Sequence, residues 1–222
     1  MATVKMPKKE KFEVEKKEIE ILSGDEVKRI ILAAQLCYKN GVLKLRNAWA
    51  IVLMIYTGMR MGEALALKWK NFDEKNKTIH IEKNISLETN RDDEGPRYRL
   101  VEHGFLKTTN SERDIPLSKM AFQAITELRK VSVGEYIIST REGSPVRPRN
   151  LQNMFDSLLT AAGVEHKGLH VTRHTFASIL LAKDASLKYV SGLLGHNDIR
   201  TTANIYGHLQ KGKKENVISL LD

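Results

Sequence analysis

The stretch NAWAIVLMIYTGMRMGEALAL, residues 47–67, contains two helical segments separated by one glycine. Its first half is a nearly unbroken run of apolar residues, which predicts an apolar helix. Gly58 interrupts that helix, because glycine is unfavourable inside helices and common at their ends. Helical patterning resumes at once in MRMGEALAL, so the sequence predicts two consecutive helices joined by a tight break.

Helical signals also lie on both sides of this stretch. In LSGDEVKRIILAAQL, Ser23 and Glu26 have the spacing of a capping box and precede an apolar stripe. After Pro116, Gly163 and Gly195 stand where C-terminal cap glycines are expected. The segments with helical period after Pro116 are SKMAFQAITELRK, NLQNMFDSLLTAAG, TRHTFASILLAK and SLKYVSGLLG.

The middle of the chain has the composition of short strands. KTIHIEK, HGFLKTT and RDIPL contain β-branched and aromatic residues, and they are separated by NSE and by the charged segment LETNRDDEGPRYRLVE. These runs predict a small antiparallel sheet on one face of a helical domain. The expected fold class is therefore mainly α with a small antiparallel β-sheet (α+β).

Composition narrows the class of partner. The 222 residues have a net charge of +9 and a pI near 9.5, which favours a polyanion, with nucleic acid ahead of an anionic membrane surface. No apolar run approaches the roughly 20 residues that span a bilayer, so we expect a soluble, intracellular protein. Cys37, the only cysteine, excludes an internal disulfide framework, and we expect it to be a small buried hydrophobe.

Several polar residues are candidates for a site, but each has an ordinary structural explanation. Arg60 and Glu63 are three residues apart on a helix, which by itself is typical of a solvated ion pair. His196 directly follows a cap glycine, where a histidine is favoured by the helix dipole. His170 does not begin a zinc-protease pattern, because Val171 occupies the position that requires glutamate.

Of these candidates, Tyr206 is the residue that core packing explains least, since it follows a polar, Thr-rich run in LLGHNDIRTTANIYGH. A tyrosine with a pKa of about 10 attacks a phosphodiester only if its proton is removed and the developing phosphorane charge is stabilised. Arginines provide bidentate contacts to nonbridging oxygens, histidines accept protons or add hydrogen bonds, and a lysine protonates the leaving alkoxide. Arg60, Arg173, His170 and His196 complete such a set with a lysine of the predicted hairpin.

Four motifs together carry a resemblance to a known family. TGMRMGEALALKW, LKTTNSERDIPL, LHVTRHTFAS and LLGHNDIRTTANIYGH occur in the order and at the distances of the tyrosine recombinase family, the phage-integrase type. The resemblance extends from Ser23 to His208 and is greatest to integrases of phages and conjugative transposons. It implies the DNA breaking-rejoining catalytic-domain fold. It also implies a site-specific DNA recombinase that integrates or excises a mobile element through a 3′-phosphotyrosine intermediate.

The resemblance also implies a role for each matching residue. Arg60 and Arg173 would clamp the scissile phosphate, with Glu63 orienting Arg60. The other expected roles are Lys107 as general acid, His170 as proton acceptor, His196 as a phosphate-stabilising group and Tyr206 as nucleophile. His174 is expected to be structural. No cofactor, metal ion or ATP is expected. Val171 and Thr172 replace the Asp-Leu of many members, which affects helix packing more than catalysis.

The expected organisation is a linker or N-terminal arm over residues 1–22 and a catalytic domain over residues 23–222. We expect the family's N-terminal core-binding domain to be absent, which would make the chain a catalytic-domain fragment of a longer integrase, or alternatively a naturally short recombinase. Expected partners are double-stranded DNA at attachment or core sites, a directionality factor, and further copies in a tetramer on DNA. The apolar end of the C-terminal tail, residues 209–222, suits docking in cis or in trans, and the expected location is the bacterial cytoplasm.

Two other functional classes share parts of this pattern. A type IB topoisomerase-like enzyme would use the same chemistry without sequence choice or tetramer assembly. A non-catalytic DNA-binding protein could keep the fold, but binding alone does not require Lys107 or Tyr206.

Overall fold

The computed structural model describes residues 19–41, 43–91, 96–104, 112–196, 198–200, 202–203 and 207. Lys107, Tyr206 and the tail 209–222 lie outside this part of the chain. The helices are α1 (Gly24–Ala34), α2 (Ala48–Thr57), α3 (Met61–Ala66), α4 (Lys119–Arg129), α5 (Pro148–Ala162), α6 (Val171–Ala182) and α7 (Leu187–Leu194). The strands are β1 (Phe72–Asp73), β2 (Thr78–Ile81), β3 (Lys83–Thr89), β4 (Tyr98–Gly104) and β5 (Arg113–Pro116). No described helix is long and apolar enough to cross a membrane.

Helix α2 is the centre of the core, as its apolar sequence predicts. It is buried along nearly its whole length and packs against α1, α4, α5 and α6. Gly58 ends it in the left-handed conformation with φ 65°, and a Cβ atom there would overlap the ring of Phe176. The predicted break is therefore confirmed, and it requires glycine both for its backbone angle and for the approach of α6.

Helix α1 begins with the predicted capping box. The Ser23 hydroxyl accepts a hydrogen bond from the Glu26 amide at 3.2 Å, and the Glu26 carboxylate accepts one from the Ser23 amide at 2.7 Å. The expectation for Cys37 was wrong, since this residue is exposed. The helix ends at Ala34, and the chain then turns back so that Cys37 pairs through its backbone with Leu43.

The β-structure is antiparallel as predicted, but it forms two sheets. One has the order β1-β2-β5, and the other is the pair β3-β4. The charged segment expected to separate strands instead supplies the end of β3 and most of β4. These strands are partly exposed and are joined by backbone pairing and by ion pairs such as Lys83 with Glu102. Their many charged and polar residues are typical of loops, so the strand signal in the sequence is weak.

Helices α3, α6 and α7 come together at the C-terminal end of α2. Helix α3 begins just after Gly58, α6 packs on α2, and α7 packs on both α6 and β5. Gly62 brings α3 against β3 so closely that a Cβ atom would lie 2.6 Å from the carbonyl oxygen of Ile85. The N-termini of α3 and α6 are thereby held near the C-terminus of α7.

Candidate active site

The C-terminus of α7 is bound by three arginines from three different elements. The last carbonyl groups of a helix lack helical partners and carry a partial negative charge, so they attract cations. Here three successive carbonyl oxygens each accept a guanidinium hydrogen bond. The pairs are Arg113 Nε to Leu193 at 2.6 Å, Arg173 Nη2 to Leu194 at 2.6 Å, and Arg60 Nη2 to Gly195 at 3.1 Å.

Arg173, at the start of α6, is a buried cation of the described site. Its side chain is buried, and its Nη1 donates a hydrogen bond of 2.7 Å to the carbonyl oxygen of Gly58. Burial lowers its pKa to about 9, and the positive charges of Arg60 and Arg113 act in the same direction against the opposing charge of Glu63. Arg173 is therefore a cation at neutral pH that would gain from a nearby anion.

Glu63 is the carboxylate that holds this cluster together. Its side chain is fully buried, and it accepts hydrogen bonds from the Arg60 amide at 2.7 Å and from Arg60 Nη1 at 2.8 Å. Arg113 binds both carboxylate oxygens, at 3.2 and 2.8 Å. Burial alone would raise the pKa of Glu63, but the hydrogen bonds and charges of Arg113 and Arg60 bring it below the usual value. The sequence suggested a solvated Arg60–Glu63 pair, whereas only Arg60 is substantially exposed, at 42%.

Removing this carboxylate is expected to destabilise the fold strongly. Glu63→Ala removes the buried carboxylate that Arg60 and Arg113 bind, and breaking a buried ion pair by removing one partner costs about 3–5 kcal/mol. The measurement is the free energy of unfolding in urea at pH 7. Glu74→Ala is the matched control, because Glu74 pairs with Arg129 at the surface and its loss should cost about 0–1 kcal/mol. Equal losses for both variants would contradict the clustered arrangement.

His196 follows α7 and faces the same arginines. Its Nδ1 lies 2.8 Å from the hydroxyl of Thr202, a side chain that is itself buried. Burial, and then the charges of Arg173, Arg60 and Arg113, lower the pKa of His196 to about 4. The imidazole is therefore neutral at physiological pH, and its partner at Nδ1 leaves Nε2 as the nitrogen available to a substrate.

The lowered pKa of His196 makes the folding stability fall as the pH decreases. The folded-state pKa is about 4, whereas an unfolded histidine has a pKa of about 6.5, so between these values only the unfolded chain binds the proton. The contribution of neutral His196 is complete above pH about 6.5 and decreases as the pH falls towards 4. Thermal unfolding between pH 7 and 4.5 should show a smaller pH dependence in His196→Gln. An identical slope in the two proteins would contradict the shift.

His170 lies immediately before α6, at its N-cap. Its exposed ring makes an edge-to-face contact with His174, with ring centroids 5.4 Å apart. Gly168 leaves room for the ring, since a Cβ atom there would lie 2.8 Å from Nδ1 of His170. His174 is half-buried, and its pKa is lowered by burial and by the nearby His170 and Arg173. These contacts are compatible with the structural role expected for His174.

The described site thus brings together Arg60, Arg173 and His196. His170 lies just before α6, one helical turn from Arg173. Lys107 and Tyr206 lie outside the described residues, so their roles stay predictions. Arg113 was missed as a site residue although it stands in the quoted LKTTNSERDIPL motif, because no sequence spacing links it to Glu63, 50 residues away. Among the described residues, no group of three or more His, Cys, Asp or Glu side chains could hold a metal ion.

The sequence matches the Phage integrase family over residues 20–213, a range that contains all four motifs. The chain belongs to this family. The expected family resemblance and fold class are therefore confirmed. Among the phage integrase relatives, a "Tyrosine recombinase XerC-like" protein of Caldanaerobacter subterraneus subsp. tengcongensis is 33% identical over 92% of this chain and 54% of its own length. An "Integrase" of Staphylococcus phage L54a is 27% identical over 93% of this chain and 62% of its own length. The chain spans little more than half the length of these relatives.

Two solved structures of an integrase and a recombinase have the same fold as this chain. The integrase of transposon Tn1549, solved in complex with transposon right end DNA, superposes with a TM-score of 0.71 at 21% identity, over 87% of this chain and 63% of that one. The XerH site-specific recombinase, solved in a post-cleavage complex with its difH substrate, gives a TM-score of 0.61 at 24% identity, over 91% and 53% of the two chains. This chain therefore has the fold of the catalytic domains of these two proteins.

Proposed function

We propose that this chain is the catalytic domain of a site-specific DNA recombinase that cleaves and rejoins strands through a 3′-phosphotyrosine intermediate. The observation that carries the proposal is the convergence of Arg60, Arg173 and neutral His196 at the C-terminus of α7. The cluster has three guanidinium groups and one carboxylate, Glu63, which Arg60 and Arg113 bind, so positive charge remains for a phosphate. Binding alone would not require two arginines and a neutral histidine to converge at one helix end.

The proposed cleavage step is an in-line displacement at phosphorus. The Tyr206 oxygen attacks the scissile phosphate and passes its proton to His170, while the bond to the 5′ oxygen breaks and that oxygen takes a proton from Lys107. Arg60 and Arg173 hold the nonbridging oxygens, and His196 adds a hydrogen bond as their charge grows. Attack by a 5′-hydroxyl of another strand reverses the step, so neither ATP nor a metal ion is required.

The proposed substrate is double-stranded DNA at attachment or core sites, and the proposed process is integration or excision of a mobile element. The solved relatives bound to DNA, the Tn1549 integrase and XerH, support this choice. We also propose a tetramer on DNA, assembled with the help of the tail 209–222 and influenced by a directionality factor. The activity would be exerted on DNA in the bacterial cytoplasm by the domain of residues 23–222, after an arm of residues 1–22.

The test uses nicked DNA duplexes that tile both ends of the mobile element encoding the chain, incubated with the protein in EDTA. Loss of the short strand beyond the nick traps the covalent intermediate, and a denaturing gel should show a slower-migrating species on duplexes from one region. Relaxation of supercoiled plasmids without such a region would instead favour the topoisomerase-like alternative. Binding without an adduct on any duplex would favour the non-catalytic one.

A further inference from the structure

Arg113 has no part in the proposed chemistry, yet it is one of the most constrained side chains near the site. It begins β5, and its side chain is only 7% exposed. Its guanidinium binds Glu63 through both terminal nitrogens and Leu193 through Nε. Arginine is the one side chain that can hold a carboxylate in two parallel bonds and still donate a third in the same plane.

These bonds connect Arg113 to each phosphate-binding arginine by a short route. Glu63, which Arg113 holds on one side, fixes Arg60 through its amide and its Nη1. On the other side, the carbonyl group of Leu193 is followed directly by that of Leu194, which binds Arg173. Arg113 therefore joins Glu63 on α3 to the C-terminus of α7. Arg60 is bound by both of these elements, and Arg173 is bound by α7 and by Gly58 at the end of α2.

Arg113 also balances the charge of Glu63. If Arg113 were absent, Arg60 would be the one guanidinium of the described residues that binds this fully buried carboxylate. Arg60 would then be drawn towards Glu63 and away from a substrate, because an unpaired buried charge is costly. The shared carboxylate thus lets Arg60 keep a partly exposed guanidinium for the phosphate.

We propose that Arg113 is a positioning residue that fixes Arg60 and Arg173 at the spacing needed to clamp the scissile phosphate, acting through Glu63 and the carbonyl end of α7. This inference rests on the proposed recombinase function. It gives Arg113 a role in holding the two phosphate-binding arginines and no role in protonating the leaving group. Protonation is the role proposed for Lys107, only six residues earlier in the sequence.

The kinetic test compares single-turnover cleavage of a trapped, nicked substrate by Arg113→Met, Arg113→Lys and Arg29→Met. Arg29 is the matched control, since it caps α5 by donating to Gly163 at 2.6 Å, outside the arginine cluster. Loss of one transition-state contact costs about 10²-fold or more, so we expect Arg113→Met to slow cleavage by about 10²-fold with DNA affinity changed less than about three-fold. Arg113→Lys should recover part of the loss, because it restores the charge. Arg29→Met should cleave at the wild-type rate per folded molecule.

A double variant tests whether Arg113 acts through Glu63. In a Glu63→Gln background the buried charge is gone, so the added effect of Arg113→Met on cleavage should fall to about ten-fold or less. If Arg113→Met slowed cleavage as much in the Glu63→Gln background as in wild type, the proposed route through Glu63 would be wrong. Cleavage by Arg113→Met at the wild-type rate per folded molecule would overturn the proposal altogether.

A substrate with a bridging sulfur in place of the 5′ oxygen separates the clamp from the general acid. A thiol has a pKa of about 8.5, so its thiolate leaves without protonation. This substrate should restore cleavage by Lys107→Ala and leave the Arg113→Met defect in place. Restoration of Arg113→Met would overturn the assignment to the clamp, because it would place Arg113 with the leaving group.

If the wild-type protein forms no adduct, the proposed function is refuted, but an NMR experiment still tests the positioning role of Arg113. The ¹⁵N NMR signals of the Arg60 and Arg173 side chains report their positions without any substrate. We expect both to shift or broaden in Arg113→Met and to stay unchanged in Arg29→Met. Unchanged Arg60 and Arg173 signals in Arg113→Met would overturn the positioning role whether or not the enzyme is active.

Discussion

Replacing Arg173 by lysine is expected to slow DNA strand cleavage by about 10³-fold, even though the positive charge is retained. The two terminal nitrogens of Arg173 donate in different directions, to Gly58 at the end of α2 and to Leu194 at the end of α7. A lysine ammonium is a single point and cannot hold both carbonyl groups while also facing a phosphate. The change therefore disturbs both the shape of the site and its contact with the substrate.

Single-turnover cleavage measures this effect, with DNA affinity measured separately by fluorescence anisotropy. Arg129→Lys is the control, because Arg129 lies outside the arginine cluster, where lysine keeps the charge that pairs with Glu74 and faces the Trp69 ring. A loss in Arg173→Lys that appears only as weaker DNA binding would contradict the expected contribution to the transition state. A cleavage rate of Arg173→Lys within a few-fold of wild type would contradict the expectation that cleavage needs both terminal nitrogens of the buried guanidinium.

Replacing Tyr206 by phenylalanine should have the largest effect of any single substitution. If Tyr206 is the nucleophile, removal of its hydroxyl lowers cleavage by about 10⁵-fold or more, as loss of a nucleophile does in other covalent enzymes. DNA affinity should be unchanged, since the aromatic ring is kept. Tyr189→Phe is the matched control, because Tyr189 is exposed on α7 and has no role in the proposed chemistry.

The measurement is adduct formation on the same nicked duplex by wild type and both variants. Wild type and Tyr189→Phe should form the adduct, and Tyr206→Phe should form none. An adduct with Tyr206→Phe would show that another group attacks the phosphate.

Features set by neighbouring residues were predictable from the sequence. The capping box of Ser23 and Glu26, the break at Gly58 and the cap at Gly195 each depend on a few consecutive positions, and the structure has all three. The grouping of Arg60, Arg173 and His196 was also expected, but from the resemblance to a family. Composition and periodicity alone left Arg60 and His196 with ordinary structural explanations.

Features set by distant contacts were not predictable in the same way. Glu63 looked like a surface partner of Arg60, because the sequence does not show that Arg113 approaches it from β5 and buries it. The β3-β4 pair was not predicted because its strands are rich in charged residues, which are more common in loops, and its ion pairs join residues far apart in the sequence. Cys37 looked buried because the apolar pattern continues past Ala34, where the helix ends.

The most direct test of the central claim is to identify the protein atom that is joined to DNA. The covalent complex formed in EDTA on a nicked duplex is digested with nuclease and protease, and the nucleotide-bearing peptide is sequenced by mass spectrometry. The account predicts one modified residue, Tyr206, with its oxygen esterified to a 3′-phosphate. Attachment to any other residue, or to a 5′-phosphate, would contradict it.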